Sequence, residues 1–145
     1  MGHYQKINMN PNTLKPPFTE ETAKLKIQQV EDACNSHDVE RLADIFTIDS
    51  VWRNRIEYIN GREEIIEFLK SKWDKELNYK LKKRYWAHTD NRIAVWFEYE
   101  FHDSEGYWYR AHGNENWEFD EDGLVTKRYA CINDMPINEM DRRVF

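Results

Sequence analysis

Between Arg92 and Phe119 the chain alternates apolar and polar side chains on both sides of one tight turn. Ile93, Val95, Phe97, Tyr99 and Phe101 share a face of a strand over 92–102, because successive strand side chains point to opposite sides. Ser104-Glu105-Gly106 supplies a three-residue hairpin loop with glycine at the left-handed position. That loop length sets Glu100 opposite Arg110 and Glu98 opposite His112 on one face. On the other it sets Phe101 opposite Tyr109, Tyr99 opposite Ala111 and Val95 opposite Glu115. Charge then meets charge and apolar meets apolar, which supports this register over its neighbours.

The remaining strands extend the same pattern. Tyr79, Leu81, Tyr85 and Ala87 alternate with charged residues ahead of an Asp90-Asn91 turn, and a last strand over 124–133 follows the Asp120–Gly123 turn. With four residues in that turn, Arg128 is expected opposite Glu115. Upstream the period changes. Thr19 caps a helix whose Ala23, Ile27, Val30 and Cys34 form one buried stripe, and Glu20 and Glu21 favour its dipole. Asp38 caps a shorter helix with Val39, Leu42, Ile45 and Phe46 facing inward, broken at Asp49-Ser50. Val51–Arg55 reads as the first strand, and a third helix after Asn60-Gly61 carries Ile65, Ile66, Leu69 and Trp73. The expected fold is α+β: three N-terminal helices on one side of a curved antiparallel sheet. Residues 1–17, with Asn10-Pro11-Asn12 and Pro16-Pro17 and no apolar period, are expected to form a flexible arm, leaving a single domain over 18–145.

The overall charge of -6 argues against a nucleic-acid partner, which needs clustered cations. Lys80, Lys82, Lys83 and Arg84 are the one basic run, and their placement on a strand predicts a solvated face. No apolar run approaches the roughly 18 residues of a membrane span. Cys34 and Cys131 lie far apart; without an apolar export segment, a cytoplasmic protein with reduced, buried thiols is expected. No phosphate loop or nucleophile motif is present, and no cofactor is expected. A metal site from Glu100, His102 and His112 lacks the usual ligand spacing, so none is assigned.

Ser50-Val51-Trp52-Arg53-Asn54-Arg55, Gly61-Arg62-Glu63-Glu64-Ile65, Gly113-Asn114-Glu115-Asn116-Trp117-Glu118-Phe119 and Ile132-Asn133-Asp134 resemble the family called domain of unknown function 1348. The order of elements resembles the wider nuclear transport factor 2-like, or SnoaL-like, superfamily. That resemblance implies a cone-shaped sheet of the cystatin-like type with a pocket at its open end, and a homodimer through the sheet. Superfamily enzymes include ketosteroid isomerases, limonene epoxide hydrolases and polyketide cyclases. Trp52 and Asn54 would face the cavity, and Glu115 would stand where the isomerases hold their oxyanion-stabilising acid. Asn54 replaces their general-base aspartate. Phe97, Tyr99 and Ala130 replace charged residues of the epoxide hydrolases, so neither mechanism transfers intact.

Glu115 therefore carries the functional question. A carboxyl group among aromatics has a raised pKa and can move protons near neutral pH, whereas a paired arginine keeps it ionised. Three readings stay open. In the first, a cofactor-free acid/base enzyme uses Glu115, with Arg128 as orienter or oxyanion binder and Asn54 holding a water or carbonyl. In the second, a non-catalytic module holds a small apolar or cyclic molecule among Trp52, Trp73, Phe97, Tyr99, Tyr109 and Trp117. In the third, a dimeric scaffold works through the opposite sheet face, where Trp96, Glu98, Glu100 and His102 pair with Trp108, Arg110, His112 and Asn114.

Overall fold

The computed structural model describes residues 14–144. It contains helices α1 (Glu20–Ser36), α2 (Val39–Ala43) and α3 (Arg62–Lys75), strands β1 (Phe46–Asn54), β2 (Glu57–Asn60), β3 (Leu77–His88), β4 (Arg92–His102), β5 (Trp108–Phe119) and β6 (Val125–Ile137), and a 3-10 turn at Glu139–Asp141. The strands form one curved, unclosed sheet in the order β2-β1-β6-β5-β4-β3. Inward-facing strand residues and the apolar stripes of the helices make one core, with Ile27, Leu69, Ile93, Val95, Phe97 and Trp117 all buried.

The local causes follow the sequence closely. Thr19 and Thr22 cap α1 reciprocally: each backbone N–H donates to the other's hydroxyl, at 2.9 and 3.1 Å. The Asp38 side chain accepts from the Arg41 N–H at 3.1 Å and starts α2. β3 is an edge strand, and α1 covers its open backbone. Asn35 donates to the Leu81 carbonyl and accepts from the Leu81 N–H at 2.9 and 2.8 Å, and Glu31 accepts from the Lys83 N–H at 2.7 Å.

Four features depart from expectation. The second helix stops at Ala43; Ile45 and Phe46 are buried, but as the entrance to the sheet, because the Val125 N–H donates to the Ile45 carbonyl at 2.9 Å. β1 and β6 run parallel, so the sheet is not wholly antiparallel. Glu57–Asn60, between the expected first strand and the Asn60-Gly61 turn, form an additional short edge strand, β2, against β1. The β4–β5 register is the expected one throughout, but Glu115 lies opposite Ala130, and Arg128 opposite Trp117. The reason is a turn that runs to Leu124 with a register shift after Glu118. The slip is by two positions, so Arg128 keeps its face and reaches Glu115 diagonally.

Of the arm expected over 1–17, residues 1–13 lie outside the described residues. Leu14 is buried, and its backbone lies so close to Gly123 (φ 85°) that a side chain there would overlap it. Cys34 is buried, whereas Cys131 is exposed on the outward side of β6, so the expectation of two buried thiols fails for Cys131.

The outer sheet face is partly closed by the chain itself. Glu100 accepts from Arg110 Nε at 2.8 Å and from the Val144 N–H at 2.8 Å; Arg110 donates to the Asp141 carbonyl at 2.6 Å. The Arg142 guanidinium lies 4.4 Å from the Trp108 ring centre. Both Glu100 oxygens are thereby engaged by Arg110 and the C-terminal backbone. His112, Asn114 and Asn116 stay exposed.

Candidate functional site

β5 turns Gly113, Glu115, Trp117 and Phe119 inward, and Glu115 is 1% exposed beneath the core. Its carboxylate is fully engaged. One oxygen accepts from Arg128 Nε at 2.7 Å and from the Trp117 indole N–H at 2.8 Å; the other accepts from the Lys83 ammonium in a very short contact. Burial alone would raise the Glu115 pKa. The two cations outweigh it and hold the group at about 2, so it is ionised at every physiological pH.

Lys83 corrects the sequence reading, which placed the whole basic run on a solvated face. It is 8% exposed and lies 4.6 Å from the Phe97 ring centre. A signal for this exists in the sequence: Lys83 shares the parity of Tyr79, Leu81 and Tyr85, and β3 buries that face. Lys80 and Lys82 do face outward, as expected.

A cavity of about 50 Å³ opens above this cluster. Trp52, Phe97, Tyr99, Trp117 and Trp73 line it, together with Asn54 and Arg128. Tyr109 does not; it stacks on Phe101 at 5.4 Å, outside the lining. Arg128 lies 4.7 Å from the Trp52 ring centre and donates to the Asn54 side-chain carbonyl at 3.0 Å. The Asn54 oxygen thus helps to position the arginine. The indole N–H groups of Trp52 and Trp73 are buried without a hydrogen-bond partner. This space is well below the roughly 300 Å³ at which ligand pockets begin, so an occupant must be small or must displace wall side chains.

Lys72 is the second cationic lining residue that sequence reasoning missed. Its ammonium lies 4.1 Å from the Tyr99 ring centre and 2.6 Å from Glu76, whose pKa burial raises. It continues the Ile65 and Leu69 stripe of α3, which could have flagged it. Arg55 and Asp134 pair at 2.8 Å nearby. Among the described residues, no three or more His, Cys, Asp or Glu side chains converge where they could hold a metal ion.

Gly113 sits directly opposite Phe97, and a Cβ there would overlap the Phe97 ring. Gly113→Ala is expected to force that ring off the sheet and into the cavity, destabilising the fold by about 1–3 kcal/mol as other overpacked cores are. Urea unfolding of the variant reads the cost; an unchanged midpoint would mean that the ring relaxes freely.

A family profile described as "Protein of unknown function (DUF1348)" matches residues 16–145. The chain belongs to that family. No curated protein sequence matches it. Solved structures similar to this family member share its fold at low identity. The enzyme SalBIII, described as epoxide hydrolase/cyclase-like and tied to pyran ring formation in the polyether salinomycin, aligns with a TM-score of 0.70 at 15% identity, over 79% of this chain and 92% of that one. An NTF2-like protein of unknown function from Exiguobacterium sp. 255-15 aligns at 0.67 and 12% identity, over 76% and 99%. Rv0760c from Mycobacterium tuberculosis, in complex with estradiol-17beta-hemisuccinate, aligns at 0.65 and 15% identity, over 74% and 91%. The fold is the nuclear transport factor 2-like, SnoaL-like one.

Proposed function

We propose that this protein binds a small, flat, largely apolar molecule in the aromatic cavity, with Arg128 as its polar anchor and Asn54 and Glu115 as the residues that position Arg128. The observation that carries this reading is the state of Glu115. A carboxylate held by two cations and an indole N–H, with its pKa at about 2, is a poor proton carrier near neutral pH. The walls suit a flat ligand, since Trp52, Trp73 and Trp117 offer broad faces around one opening. The complex of Rv0760c with a steroid ester supports a ligand-holding use of this fold.

The test is a thermal-shift and calorimetric screen of small aromatic and cyclic molecules, repeated on Gly113→Ala below its unfolding temperature. Binding by the native chain that is lost in the variant supports the cavity as the site. Binding that survives the substitution places the site elsewhere.

A homodimer through the outer sheet face is proposed in narrower form. The C-terminal segment already covers Trp108 and Arg110, which leaves Trp96, Asn114, Asn116 and Tyr129 as the contact. Sedimentation is expected to give a dimer that Trp96→Glu converts to a monomer; a native monomer would remove the proposal. A cytoplasmic location belongs to the same reading.

A further inference from the structure

Two cations face one anion at the base of the cavity. Lys83 and Arg128 both bond Glu115, and their side chains are 5% and 11% exposed against 1% for the glutamate. With all three ionised, the cluster holds one uncompensated positive charge in a place nearly sealed from water. A buried charge without a partner costs several kcal/mol, so its persistence calls for an explanation.

Among the described residues that line the cavity, no charged group cancels it. Lys72, the remaining charged group lining the cavity, is balanced by Glu76. Cys34 and Tyr79 also line the cavity and could in principle carry negative charge. Burial pushes the Cys34 thiol up and the Tyr79 phenol well up, so both stay neutral at physiological pH. Arg55 and Asp134 neutralise each other.

The hydrogen-bond inventory points the same way. Arg128 uses Nε on Glu115 and Nη1 on Asn54, which leaves Nη2 without a partner among the described residues. Asn54 accepts through its oxygen, and its amide N–H groups have no acceptor among the described residues. Trp52, 3% exposed, and Trp73 add two buried indole N–H groups with no acceptor. A site with surplus donors and surplus positive charge is complementary to an anion, and a guanidinium matches a carboxylate best.

We propose that the ligand of this cavity is a small carboxylic acid with a flat apolar body, bound as its anion so that the carboxylate completes the Lys83–Glu115–Arg128 cluster. The inference rests on the cavity being the binding site, and deepens that reading by naming the ligand's charge. It selects against neutral molecules of the same shape, because an amide or ester brings no charge to the unpaired cation.

The experiment compares benzoate with benzamide, and phenylacetate with phenylacetamide, by calorimetry and by quenching of tryptophan fluorescence at pH 7. Benzoate or phenylacetate is expected to bind at least tenfold more tightly than its amide. Lys83→Met leaves Glu115 and Arg128 as a one-to-one pair, and is expected to erase that preference. Acid and amide binding equally to the native chain would overturn the anion inference and leave the cavity-binding reading standing. If no acid, amide or other small molecule binds, the cavity-binding reading falls as well. The ratio in the native chain decides between these outcomes even if Lys83→Met fails to fold.

Discussion

Replacing Glu115 by glutamine is expected to destabilise the protein by about 3–5 kcal/mol, the typical cost of removing one partner from a buried ion pair. The glutamine fills the same volume, so little packing is lost. What changes is that Lys83 and Arg128 then face each other with no anion between them. For a chain of this size the loss corresponds to a fall in Tm of roughly 10–15 °C. The double variant Glu115→Gln with Lys83→Met should recover part of it, since only one cation is then left unpaired. That recovery is the diagnostic result: a double-mutant cycle showing additive effects would mean that the two side chains do not interact energetically. A cost under about 1 kcal/mol for Glu115→Gln alone would remove the charge cluster as a determinant of stability.

Acid should expose the same dependence without mutation. Glu115 has a pKa of about 2 in the folded protein against an ordinary value of 4.5. A carboxylate with a depressed folded pKa contributes stability that is fully present above 4.5 and is lost as the pH falls from there through about 2. At 1.36 kcal/mol per unit, the contribution is about 3 kcal/mol. Urea midpoints measured from pH 6 to pH 2 should therefore decline most steeply below 4.5, and the decline should be shallower in Glu115→Gln. Equal slopes in the two proteins would assign the acid sensitivity to other carboxylates.

How far the sequence carried can be judged from particular residues. The β4–β5 hairpin was legible to the residue, because a three-residue loop and a two-residue period leave a single register that matches both faces. The inward position of Glu115 followed from the same rule. The diagonal partner Arg128 was legible by face but not by position, since the turn after Phe119 is one residue longer than its Asp120–Gly123 core suggests and the bulge after Glu118 adds a second position. β2 was illegible for a different reason. Its four residues show only one buried side chain, Ile59, and its pairing depends on β1 being drawn into the sheet by a strand some seventy residues later. Lys83 was missed because four cations within five positions look like a solvated surface by composition, while period alone places one of them inside. When composition and period disagree, a single buried charge is where they part.

The parallel contact of β1 with β6 has a consequence for how the chain reaches its fold. The β3–β4 and β4–β5 pairs join neighbouring segments and can form as soon as each hairpin is synthesised. β1 has no such local mate except the four-residue β2. Its pairing from Trp52 to Arg128 and from Asn54 to Ala130 waits for the last strand to leave the ribosome. A nascent chain stalled before Val125 thus carries an unfinished sheet, with the Trp52 side of the cavity still unassembled.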